Sequence, residues 1–167
     1  PNWMTGLLRW ARSIPRPRAI LIASAHWESA PLALSASGPG TALVYDFAGF
    51  DPIYHRFRYP TPDASGLASL VTGVVPDNMG LVQRASRGLD HGAWVPLMAM
   101  YPQADIPVLQ LSIPTQVSAD LIALGQRLRP LREQGVLVIG SGFMTHGLPF
   151  VDWARPEVVP GWSRDFD

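Results

Sequence analysis

Four histidines and no cysteine set the terms of any chemistry this chain performs. Without thiolates there can be no disulfide, no cysteine nucleophile and no sulfur-ligated metal, so a metal would rest on imidazole, carboxylate or water. His26 follows the apolar run Ala19-Ile20-Leu21-Ile22-Ala23-Ser24-Ala25. His146 follows a second such run, Val136-Leu137-Val138-Ile139-Gly140, through the turn Ser141-Gly142-Phe143-Met144-Thr145. His91 stands in the polar, glycine-flanked turn from Ser86 to Gly92, where the backbone can approach a neighbour closely. Ligands of open α/β sheets sit beyond the carboxyl ends of the strands, so histidines delivered there could share one crevice. Each also has a plain structural reading; for His91 it is a local turn closed by Asp90. From the residues alone, a metal or acid/base site and three unrelated structural histidines are equal readings.

The other candidates divide more clearly. His55 lies between Arg56 and Arg58 in an irregular stretch and reads as exposed. Glu28, two residues past His26, would share its strand face and could be a carboxylate ligand, but a charge just past a strand is more often solvated. His91-Gly92-Ala93-Trp94 looks like the oxyanion turn of an α/β-hydrolase. That fold also needs a Gly-x-Ser-x-Gly elbow, and Gly140-Ser141-Gly142 has the wrong spacing.

The elements that must position these residues can be read from periodicity. Trp3, Leu7, Trp10 and Ile14 recur at helical spacing from Asn2 to Ile14, and the prolines at 15 and 17 end that helix. The run 19–25 predicts a strand buried on both faces. Short strands are expected at 31–35 and 81–84, and buried ones at 106–113 and 136–140. Helices are expected at 64–75 with Asp63 as N-cap, at 93–101, and at 118–134 with Gly135 closing the C-terminus. The aromatic stretch from Asp51 to Pro62 reads as an ordered loop that walls a pocket. Strands alternating with helices predict an α/β fold with a mixed, largely parallel central sheet flanked by helices, in a single domain.

Composition excludes several partners. The 167 residues are 47% hydrophobic and 16% charged, with a formal net charge of zero. Such a chain can bury about 70% of the surface its unfolded form exposes. The basic residues are all arginines and are scattered, so no basic stripe argues for nucleic acid. No run reaches the ~18 apolar residues of a membrane span, and the cytoplasm is the default location. Both ends read as cut, the chain opening inside a helix without methionine, so we expect further segments on either side.

Taken together, the motifs resemble one family. Pro17-Arg18-Ala19-Ile20-Leu21 through Ser24-Ala25-His26-Trp27-Glu28 is similar to the class III extradiol ring-cleavage dioxygenases of the LigB superfamily, in the DOPA 4,5-dioxygenase branch. Tyr45-Asp46-Phe47-Ala48-Gly49-Phe50 and Gly88-Leu89-Asp90-His91-Gly92-Ala93-Trp94-Val95-Pro96-Leu97 follow in the family's order. Then come Tyr101-Pro102-Gln103-Ala104-Asp105-Ile106-Pro107-Val108, Gln110-Leu111-Ser112 and Gly140-Ser141-Gly142-Phe143-Met144-Thr145-His146-Gly147-Leu148. The resemblance implies that residues 1–167 form a catalytic domain using non-haem iron(II), or zinc in isolated protein, to open a catechol-type ring with O2. It implies His26 and His146 as metal ligands, and His91 and His146 as the groups that move protons. Asp46 and Phe47 lie in a motif near the pocket without an assigned role. The family's His-Gly-Ser-Pro turn and a further C-terminal ligand are not in this sequence, and Gly147 stands where relatives carry asparagine. A zinc hydrolase and a non-catalytic metal-binding scaffold are the alternatives on the same fold. The identity of the catechol and the oligomeric state, a homo-oligomer included, stay open.

Overall fold

The computed structural model describes residues 2–76, 79–84, 86–143, 147–152, 154–155 and 157–166. Its centre is β1, Ala19–Glu28, which pairs in parallel with β4, Val108–Ile113, on one side and with β5, Val136–Ser141, on the other. The two-residue strands β2, Ala33–Leu34, and β3, Val82–Gln83, complete the order β3-β2-β4-β1-β5. Only the β2–β4 pairing is antiparallel among the described strands, so the sheet is mixed and mostly parallel.

Residues of alternating parity on the central strands serve opposite faces. Leu21, Leu109 and Leu111 point into one cluster, packed by Leu67 and Val71 of α2, Ser65–Val74, and by Leu124 and Leu128 of α4, Ser118–Leu128. Ile20, Ile22 and Val108 point into the other, with Ala11 of α1, Asn2–Ser13, and Ala93, Trp94 and Leu97 of α3, His91–Met100. Each fully buried aliphatic side chain contributes about 1.5–3 kcal/mol. Burial on both faces is why these strands read as continuous apolar runs rather than alternations.

β1 runs on past the apolar run through His26 to Glu28, because β4 pairs again at Glu28 with Ile113 after the register shifts beyond Ala23. His26 therefore sits in the irregular stretch, where a shift re-aims side chains. Other boundaries moved for identifiable reasons. The expected helix at 118–134 stops being an α-helix at Leu128. Pro130 cannot donate to a preceding carbonyl, and Arg129–Gln134 tightens into a 3-10 turn. Gly135 closes it at φ 77°, the left-handed conformation that glycine adopts without cost. α2 starts at Ser65, and Asp63 accepts from the Ser65 amide at 3.2 Å. Residues Pro52–Arg56 form a 3-10 turn, and a short last helix, α5, spans Gly161–Phe166. Among the described residues no helix is long and apolar enough to cross a membrane.

Candidate metal centre

His26, Asp46 and His91 meet at the carboxyl edge of the sheet, with one potential ligand atom from each lying within 4.8 Å of the others. Three distant parts of the chain supply them. β1 delivers His26, α3 begins at His91, and Asp46 comes from the extended segment that precedes the 3-10 turn at 52–56. The two imidazoles stack obliquely, ring centres 4.0 Å apart and planes inclined by 51°.

Asp46 organises the group. Its Oδ1 is 2.6 Å from His91 Nδ1 and accepts from the His91 backbone amide at 3.2 Å, while its Oδ2 lies 3.7 Å from His26 Nδ1. Burial alone would raise the Asp46 carboxyl, but the hydrogen bonds from the His91 ring and amide, with the His91 charge, outweigh it and hold the group below its ordinary value. With Nδ1 engaged by a carboxylate, the Nε2 side of His91 is left to face the crevice. Sequence reading placed Asp46 near the pocket but gave it no task.

The approach of α3 to β1 depends on small groups. A Cβ on Gly92 would collide with Ser24 Oγ and lie 3.0 Å from His26 Cδ2, so only glycine lets the helix start this close to the strand. Pro96 sits inside α3 and has no amide hydrogen for the carbonyl four residues earlier. That carbonyl, of Gly92, accepts instead from the hydroxyl of Ser141 at the end of β5. The proline thus releases an acceptor that ties the histidine-bearing helix to the neighbouring strand.

The segment carrying Asp46 is held by its aromatic residues. Tyr45 Oη donates to the Phe57 carbonyl at 2.6 Å and accepts from Arg58 at 2.9 Å, and Trp94 Nε1 donates to the Val44 carbonyl. Phe47 meets His91 edge to face, 5.4 Å between centres, and stacks at a tilt on His55 at 5.0 Å.

A cavity of about 940 Å³ opens against His26 and His91, walled by Trp3, Leu7 and Trp10 of α1, Val95, Pro96 and Met100 of α3, and Gly140 to Phe143 at and beyond the end of β5. Mostly apolar walls with a few convergent polar groups are what an aromatic ligand needs. The expected pocket wall at 51–62 does not line this cavity; the 3-10 turn packs instead on Phe47 through His55. Of the other sequence candidates, His55 is exposed as expected, and Glu28 is exposed and outside the group of three. The plain turn reading of His91 fails, since the Asp90 side chain turns inward to Gln110 instead of closing the turn. His146 lies outside the described residues.

Imidazole and carboxylate are ligand types that suit iron, and in this arrangement the Asp46 carboxylate is engaged by the His91 ring. Comparison with known proteins agrees with this chemistry. Residues 3–166 match the model of the LigB family, the catalytic LigB subunit of aromatic ring-opening dioxygenase. A 4,5-DOPA dioxygenase extradiol of Beta vulgaris is 40% identical over 155 residues, covering 91% of this chain and 57% of the relative. The protein of that name from Escherichia coli is 33% identical over 157 residues, covering 93% and 57%. The crystal structure of an uncharacterized protein from Escherichia coli K12 superposes with a TM-score of 0.72 at 29% identity, covering 90% of this chain and 57% of that one. The chain therefore spans a little over half the length of the relatives it matches. Fold, motif order and the match across nearly every residue agree, and the chain belongs to the LigB family of aromatic ring-opening dioxygenases.

Proposed function

We propose that this chain carries the metal-binding and proton-transferring part of an extradiol dioxygenase that opens a catechol-type ring with O2. The observation that carries the reading is the meeting of His26, Asp46 and His91 beside a cavity of ring-accommodating size. Iron(II) held at this edge would supply the one-electron chemistry that lets triplet O2 react with a closed-shell ring. His26 is the residue we assign to the metal, with His146 as a second ligand on the strength of the family motif.

His91 takes the proton work. Its Nδ1 is bound to Asp46, which fixes the tautomer and steadies the charged ring, so Nε2 can accept a proton from a catechol hydroxyl and return it when the ring opens. An acid/base group of this kind is worth about 10²–10⁴ in rate. Apolar side chains of Trp3, Trp10 and Met100 would offer the ring its packing surface.

The test is anaerobic reconstitution of the full chain with iron(II), followed by oxygen uptake over a small catechol panel. One O2 consumed per catechol, with a yellow ring-fission product, is the expected result. Stoichiometric iron with no uptake on any catechol would refute the reading.

A further inference from the structure

We infer that Asp90 and Gln110 form a positioning pair that holds His91 at the site; the inference rests on the reading of His91 as the proton-carrying residue. Asp90 is fully buried although it precedes a helix, a place where a carboxylate normally turns to the helix amides. Its side chain makes no such cap. Asp46 takes over that task from outside, accepting from the His91 amide, and this frees Asp90 to face the core.

There it meets Gln110, also fully buried, in the middle of β4. The exchange is reciprocal: Gln110 Nε2 donates to Asp90 Oδ2, and the Asp90 amide donates to Gln110 Oε1 at 2.9 Å. Gln110 cannot drift, because its own amide donates to Ser35 Oγ and its carbonyl accepts from the Ser35 amide, both at 2.9 Å. Two hydrogen bonds at one residue fix both the position and the rotation of the backbone that launches His91. A third contact links the pair to the other histidine. Arg87 reaches Asp90 Oδ2 at 3.4 Å while its guanidinium lies 4.4 Å above the ring of Trp27, the residue after His26. Buried hydrogen bonds select one geometry over its neighbours, here the spacing of the two imidazoles. Asp90 Oδ1, buried without a hydrogen-bond partner among the described residues, leaves the Oδ2 bond to Gln110 as the main hold on the carboxylate.

The test compares Gln110→Met, which removes both side-chain bonds at similar volume, with Asp90→Ser, whose hydroxyl is too short to reach Gln110, and with Asp90→Asn, which keeps an acceptor for it. The first readout needs no metal or substrate: the NMR signal of the His91 Nδ1 proton in its hydrogen bond to Asp46. We expect a slowly exchanging downfield signal in the wild type and in Asp90→Asn, and its loss by exchange in Gln110→Met and Asp90→Ser, both still melting cooperatively. The second readout is turnover of catechol by the iron-loaded enzyme: kcat falls about tenfold in those two variants, with KM and iron content within about twofold. Should Gln110→Met fail to fold, Asp90→Ser decides alone. A folded Asp90→Ser or Gln110→Met with the wild-type proton signal and kcat overturns the inference. So does a variant that loses only melting temperature, since the pair would then serve stability alone. A wild type that turns over no catechol refutes the dioxygenase reading, while the proton signal still tests the pair independently.

Discussion

At the scale of single residues, Asp46 is the group on which the account depends most. It binds the His91 ring and caps the His91 amide at once. Asp46→Ala should therefore lower kcat about 10–100-fold and, separately, cost about 1 kcal/mol of stability from the lost cap, read by steady-state kinetics and urea unfolding. Gly92 makes a second point. Gly92→Ala places a methyl against Ser24 Oγ and His26 Cδ2, and overpacking of this kind costs about 1–3 kcal/mol. The same unfolding measurement checks it, the Ser24 hydroxyl being the group that must give way. His26 and His91 were legible in the sequence, each as a histidine delivered at a strand end or a glycine-flanked turn. The task of Asp46 was not, because its partner lies 45 residues further along the chain and no local pattern reports a loop folding back on a helix. Its motif placed it near the pocket, and it is a charge set among Leu43, Val44, Tyr45 and Phe47, where an unpaired carboxylate would be costly.

At the scale of elements, the tie between α3 and β5 is set by a proline. Because Pro96 leaves the Gly92 carbonyl without its helical donor, Ser141 supplies one across the interface. Ser141→Ala should strand that carbonyl and destabilise the chain by about 1–2 kcal/mol, measured by thermal or urea unfolding. A result indistinguishable from wild type would mean that water replaces the hydroxyl. The long elements were readable because burial on both faces, or on one helical stripe, leaves a period in the sequence. The short strands expected at 31–35 and 81–84 survive as β2 and β3, two residues each, since only those residues pair with β4 and with each other. The end of α4 was misread for a different reason. Its apolar spacing continues to Leu131, but Pro130 removes an amide hydrogen and converts the last turn to 3-10.

At the scale of the whole molecule, the sheet separates two apolar clusters, and the site lies where the face packed by α1 and α3 reaches the carboxyl ends of the strands. This is where an open α/β sheet offers a crevice, and the histidine near the end of the central strand made that edge one of two equal readings of the sequence. The central claim is a division of labour at that edge, with His26 holding the metal and His91 carrying the proton. It is tested most directly by measuring iron content and single-turnover rate side by side for the full chain, His26→Ala and His91→Ala. Loss of iron in His26→Ala, with iron retained and the rate reduced about 10²–10⁴-fold in His91→Ala, is the predicted result. Stoichiometric iron in His26→Ala, or loss of iron in His91→Ala, would contradict it.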